Sequence, residues 1–191
     1  MDSSIGLLGL IIIAWLVFEI VLVLNDRRKG TAEIRANRAT TTITMVAMIV
    51  GLTGGLNLSA IASLEFPGGR NNALFLVGLG LMTMGFVVRL WAIRTLGASF
   101  RTTLQVQEGQ QITTQGPYGV IRHPSYAGAL LLCCGFGMAL QNWLSLACAV
   151  GLPLAAYVYR IHVEEKMLVG SLGSDYVEYQ KHTKKLVPWV W

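Results

Sequence analysis

From residue 5 to residue 24 the chain runs for roughly 20 residues with a single charged side chain, Glu19, the length an α-helix needs to cross the hydrocarbon core of a bilayer. Comparable apolar stretches recur at about 41–64, 73–93, 126–140 and 144–159. Backbone immersed in hydrocarbon must satisfy its own hydrogen bonds, so such runs fold as helices. The pattern predicts an all-α integral membrane protein of about five transmembrane helices. It forms one membrane domain over 1–191, with N-terminal helices in 1–95 and the chemistry in 96–191. Composition agrees, because 53% hydrophobic and 13% charged residues are too apolar for a soluble domain of this length. The first run follows Asp2 rather than a basic segment and has no small-residue cleavage site, so it reads as a retained helix.

Charge orients these helices. All but Arg70 and Arg89 of the 15 Lys and Arg residues fall in the loop 27–38, in 94–122 or from Arg160 onward. The positive-inside bias makes that side cytoplasmic and puts the N-terminus outside, as for a prokaryotic inner-membrane protein. The net charge of +5 is thereby explained by topology, and no nucleic acid is expected as a partner because no basic face is interleaved with aromatics. Glu19 and Arg89 lie inside spans but near their ends, where they read as side chains that snorkel to the interface rather than as a transport pathway.

The second span carries Gly51, Gly54, Gly55, Ser59, Ala60 and Ala62, small residues that let membrane helices approach closely. Gln141-Asn142-Trp143 separates the last two runs, as in a tight helical hairpin, and each of those runs is slightly short for a perpendicular span. Residues 160–185 space Met167, Leu168, Leu172, Tyr176 and Tyr179 at helical intervals against charged positions, predicting an amphipathic helix pair at the interface. Cys133, Cys134 and Cys148 lie inside apolar runs and read as packing residues, with no metal site implied.

The densest polar cluster is Gly116-Pro117-Tyr118-Gly119-Val120-Ile121-Arg122-His123-Pro124-Ser125-Tyr126-Ala127-Gly128, just ahead of an apolar helix. Proline suits a first helical turn, where its missing N–H costs nothing. A helix start offers N–H groups to an anion, and Tyr118 and Tyr126 offer aromatic faces to a cation. Singly, Arg122, His123 and the tyrosines would pass for interfacial anchors; their clustering favours a ligand pocket. A second cluster, from Tyr157 to Glu165, puts Arg160 and Glu164 at i and i+4 on one helical face, either as an ordinary ion pair or as two ligand-facing groups.

The run Arg122-His123-Pro124-Ser125-Tyr126-Ala127-Gly128, then Arg160 with Glu164-Glu165, then Leu172-Gly173-Ser174-Asp175-Tyr176-Val177-Glu178-Tyr179 and Pro188 resembles the isoprenylcysteine carboxyl methyltransferase family, in a small prokaryotic-type form. The resemblance covers roughly residues 96–188. It implies a cytoplasmic cofactor pocket formed by the C-terminal half, S-adenosyl-L-methionine as methyl donor, and a lipid-like or prenylated acceptor reached among membrane lipids. Carried over by position, the cofactor-binding residues would be Gln105, Gln110, Gln111, Ile112, Thr113, Tyr118, His123, Pro124, Ser125, Tyr126 and Glu164, with Arg160 as the catalytic, substrate-side arginine. The chain departs from the family at Gln110, where a His is often found, and at Glu164-Glu165-Lys166, which shortens a longer acidic run.

Methyl transfer suits such a set. A carboxylate acceptor is already ionised at neutral pH and needs no general base, only an arginine to aim it and a dry pocket. A thiol or amine acceptor would instead require a base such as His123 or Glu164. The alternatives are a sterol-type membrane reductase using NADPH, whose pattern has Asn where this chain has Ser125, and a non-enzymatic membrane subunit or transporter.

Overall fold

A computed structural model describes residues 2–28, 35–61, 64–67, 71–97 and 112–191. Its helices are α1 (Asp2–Arg28), α2 (Arg35–Leu58), α3 (Asn72–Leu96), α4 (Pro124–Ala139), α5 (Trp143–Leu172) and α6 (Ser174–His182), with a 3-10 turn at Gly116–Gly119. Four of them, α1, α2, α3 and α5, are long and apolar enough to cross a membrane. The remaining apolar helix, α4, has 16 residues, about 24 Å at 1.5 Å per residue, and is buried on most of its circumference. Among the described residues the predicted all-helical membrane fold is observed, but with four helices long enough to span where about five were expected, the fourth apolar run forming only the short, buried α4.

Helix α5 corrects one expectation. It is continuous for 30 residues, so residues 160–172 prolong the last span and are not half of a separate interfacial pair. Nothing in that stretch breaks a helix until Gly173, which closes α5 at φ 59° and starts α6, a conformation glycine adopts without a Cβ penalty. Asn142 caps the other end, accepting from the N–H groups of Leu144 and Ser145 at 3.0 and 3.1 Å as N-cap asparagines do.

Glycines set the closest contact. A Cβ on Gly85 would lie 2.5 Å from the Gly128 carbonyl oxygen, and one on Gly135 would lie 2.5 Å from that of Gly78. Two glycines seven residues apart on α3 thus face two on α4 in reverse order, so the helices run antiparallel with backbones touching. Helices α2 and α5 pair similarly. Gly51 receives the Pro153 ring and the Cys148 carbonyl, Gly55 faces Ser145 and Ala149, and Gly54 meets nothing. Ser145 Oγ also donates to the Gly55 carbonyl at 2.7 Å.

Helix α1 approaches the others less closely than they approach one another. Its inner stripe, Leu8, Ile12, Trp15, Glu19 and Val23, is buried, whereas Leu10, Ile13 and Val17 on the other side are exposed. A helix apolar all round with only one covered face is what lipid contact demands. The Phe18 and Phe86 rings meet edge-on at 5.6 Å, so α1 runs beside α3. At the bundle's far end the α2–α3 connection is knitted to the α4–α5 turn. Phe66 N–H donates to the Gln141 carbonyl at 2.9 Å, and the Gln141 side chain exchanges hydrogen bonds with the Asn71 backbone at 2.6 and 2.9 Å.

Candidate active site

The C-terminal ends of α1 and α3, the N-terminal ends of α2 and α4, and the middle of α5 meet at one end of the bundle. Pro124 starts α4 there, and the backbone before it is held by the C-terminal segment. Arg122 and His123 N–H groups donate to the carbonyls of Lys184 and Lys185 at 2.8 and 3.0 Å, and Lys184 N–H returns a bond to Val120 at 3.2 Å. This short parallel pairing of Ile121 with Lys184 fixes the angle at which α4 enters the bundle.

Tyr126 is the hub. Its hydroxyl accepts from Arg160 Nε at 2.8 Å and donates to Glu164 Oε2 at 2.7 Å. Its ring stacks on His123 at 5.4 Å and on Tyr157 at 4.8 Å, while Arg160 Cζ lies 5.5 Å from its centroid. The aromatic face read from the sequence as open to a cation is here engaged by protein groups, and the cation it meets is Arg160. Arg160 also donates to Thr41 Oγ1 at 3.0 Å. Arg160 and Glu164 do share a helical face, and a phenol hydroxyl stands between them.

The two consecutive carboxylates play different parts. Glu165 is mostly buried and accepts from Arg122 Nε at 2.7 Å, with His123 Nε2 at 3.4 Å and Lys185 Nζ at 3.5 Å. Arg122 continues to the Thr183 and Gln180 carbonyls, so Glu165 staples α5, the start of α4 and the C-terminal segment together. Glu164 is more exposed, 22% for its side chain, and sits 3.6 Å from His123 Nδ1. It is the carboxylate that a polar ligand can reach.

Behind Tyr126 lies a cavity of about 40 Å³, lined by Glu19, Val23, Thr41, Thr44, Met45, Met48, Arg89, Ser125, Tyr126, Tyr157 and Arg160. It has room for a few waters. Here a second expectation is overturned: Glu19 and Arg89 do not snorkel. Arg89 Nε and Nη2 grip Glu19 Oε1 and Oε2, the first at 2.6 Å, and Nη1 donates to the Ser125 carbonyl and hydroxyl at 3.0 and 2.7 Å. Both side chains are below 8% exposed. A charge in an apolar bundle is tolerable when it is paired, and here each charge meets its partner inside the bundle instead of reaching to the interface.

Among the residues expected at the site, His123, Ser125, Tyr126, Arg160 and Glu164 converge. Pro124 is fully buried, so its role is to start the helix. Tyr118 is buried, and its carbonyl accepts from Tyr179 Oη at 2.6 Å. Burial raises the Tyr118 phenol above the usual tyrosine range, Glu164 adding to the effect. Ile112 and Thr113 are half-buried just ahead of the 3-10 turn, while Gln105, Gln110 and Gln111 lie outside the described residues. Thr41, Thr44, Glu19, Arg89, Tyr157 and Glu165 were not singled out beforehand as site residues. Tyr157 and Glu165 lay within the second polar cluster, and Glu19 and Arg89 carried the signal of ionisable side chains inside spans, which by default mark functional sites; Thr41 and Thr44 had none.

These features define a helical membrane protein whose polar site is buried at one end of the bundle. The chain belongs to the phospholipid methyltransferase family, whose profile matches residues 73–175. It is similar to protein-S-isoprenylcysteine O-methyltransferase B of Arabidopsis thaliana, 33% identical over 115 residues, or 59% of this chain and 58% of the relative. The enzyme of Schizosaccharomyces pombe is 30% identical over 155 residues, covering 75% of this chain and 66% of the relative. The chain thus spans between about two fifths and two thirds of the length of the relatives it matches. The solved structure of the eukaryotic intramembrane Ras methyltransferase, isoprenylcysteine carboxyl methyltransferase, shares the fold: TM-score 0.57, 24% identity, 91% of this chain and 63% of that one. The family resemblance read from the sequence is borne out, and the chain is an integral membrane protein.

Proposed function

We propose that the protein is an S-adenosyl-L-methionine-dependent membrane methyltransferase that O-methylates the carboxyl group of an isoprenylcysteine-like or other lipid-like acceptor. The observation that carries this reading is the Arg160–Tyr126–Glu164 chain, which joins a cavity wall among lipid-facing helices to a carboxylate that solvent can reach. The relatives named above are methyltransferases, which weighs against the reductase and transporter alternatives.

The residues fit the cofactor. Glu164 supplies an accessible carboxylate for its hydroxyl or ammonium groups, beside the stacked rings of His123 and Tyr126. When bound, the cofactor supplies an electrophilic methyl group. On the acceptor side, Arg160 aims a carboxylate by a charge-assisted fork. Val23, Met45, Met48 and Tyr157 line the same cavity, so a bound acceptor would displace its few waters and meet a partly apolar wall that strengthens that attraction. Orientation of this kind accounts for several kcal/mol of a barrier, about 7 or more in the best cases. The positive-inside bias supports a cytoplasmic position for this end of the bundle.

Titration of the detergent-purified protein with S-adenosylhomocysteine and with NADPH tests the assignment. Binding of the first alone is expected, followed by transfer of labelled methyl from the cofactor to an S-prenylated cysteine or a lipid extract. Failure to bind S-adenosylhomocysteine overturns it.

A further inference from the structure

Two arginines line one small cavity, and the functional reading uses only Arg160. Arg89 is committed within the protein: a bidentate grip on Glu19 consumes Nε and Nη2, and Nη1 holds both acceptors of Ser125. The carbonyl that Arg89 holds belongs to the peptide bond leading into Tyr126. A planar guanidinium clamped along one edge has its remaining nitrogen fixed in direction, so Glu19 determines where Arg89 pulls on the first turn of α4. The glycine contact shortens the reach, since a Cβ on Gly128 would lie 2.7 Å from the Arg89 backbone nitrogen.

We propose that Glu19 and Arg89 are a positioning pair for the site: Glu19 orients Arg89, Arg89 fixes the Ser125–Tyr126 peptide, and the Tyr126 hydroxyl is thereby set between Arg160 and Glu164. The pair also gives α1, the helix packed least closely, a share in the site. By neutralising Arg89, Glu19 keeps it from competing with Arg160 for an anionic acceptor group. This inference rests on the methyltransferase reading. It assigns the pair a role distinct from tying α1 to α3, and the two roles respond differently to reversal of the charges. A reversed pair restores the tie, but a carboxylate at position 89 cannot donate to Ser125.

The test uses the full chain in detergent or nanodiscs with Glu19→Gln, Arg89→Gln, Arg89→Lys and the double reversal Glu19→Arg/Arg89→Glu. Besides turnover, the readouts are the thermal midpoint, amide hydrogen exchange over residues 125–128 without ligand, and S-adenosylhomocysteine affinity. Turnover on an S-prenylated cysteine is resolved into kcat and KM. The double reversal is expected to recover most of the thermal midpoint lost in the Gln variants. Its exchange should stay fast and its affinity and kcat low, on the order of tenfold or more, as for a misplaced reacting group. Arg89→Lys keeps the charge without the fork and should remain defective, so it carries the test if Arg89→Gln does not fold. Recovery of exchange, affinity and kcat in the double reversal would reduce the pair to a structural tie, as would wild-type values in Arg89→Lys. Wild-type protein that binds no S-adenosylhomocysteine would overturn the methyltransferase reading and this inference together, whereas normal binding with unaffected variants overturns this inference alone.

Discussion

Arg160 lies 5.5 Å from the centroid of the Tyr126 ring and donates from Nε to its hydroxyl at 2.8 Å. The same hydroxyl donates to Glu164, so one proton-bearing oxygen links the group proposed to meet the acceptor with the group proposed to meet the cofactor. Hydrogen bonds in such a chain polarise one another.

Tyr126→Phe should keep the ring stacking on His123 and Tyr157 and lose both hydroxyl bonds. We expect S-adenosylhomocysteine affinity and kcat each to fall by about tenfold, near 1.4 kcal/mol, with the fold intact. Titration calorimetry and steady-state turnover check this. Unchanged values would leave Tyr126 as packing.

Glu164→Ala should lose cofactor affinity, and Arg160→Ala should lose turnover while largely keeping affinity. Because Tyr126 bridges them, the double mutant should be less than additive, with a coupling of about 0.5–3 kcal/mol in a double-mutant cycle. Strict additivity would break the proposed link.

Gly85→Ala and Gly128→Ala each drive a methyl into the facing backbone at 2.5–2.6 Å, where nothing can move aside except the helix. Overpacking of this kind costs about 1–3 kcal/mol and should lower the thermal midpoint together with activity. Gly80→Ala, which meets nothing within 4 Å, should leave the midpoint unchanged.

Tyr179 in α6 donates its hydroxyl to the Tyr118 carbonyl at 2.6 Å. Burial pushes its phenol up to about 12 against the opposing pull of Arg122 and Thr183. The folded state therefore holds this proton more tightly than the unfolded chain, whose tyrosine titrates near 10. Its contribution to stability is intact below about pH 10 and is lost as pH rises toward 12. Unfolding monitored from neutral to alkaline pH should show this loss, and Tyr179→Phe should remove that component of the pH dependence.

Four of the about five expected crossings were legible in the sequence as long apolar helices, whereas the fourth run proved a buried helix of 16 residues; the C-terminal motifs pointed to Tyr126, Arg160 and Glu164. Two features were not legible. Glu164 and Glu165 are indistinguishable as letters, yet adjacent helical residues point about 100° apart, which sends one toward the Tyr126 hydroxyl and the other into the Arg122 staple. Glu19 and Arg89 are 70 residues apart, and no local pattern records that their helices run side by side. Residues 183–185 carry no strand periodicity, so their pairing with residues 120–123 depends wholly on the fold bringing them together.

That separation of 70 residues also has a meaning in time. A chain made at about 5–20 residues per second completes α1 several seconds before it contains Arg89. Throughout that interval the carboxyl of Glu19 lacks the guanidinium that holds it in the finished bundle. Helix α1 is thus made before the partner of its buried charge exists, and the Glu19–Arg89 pair can form only after α3 has followed it into the membrane.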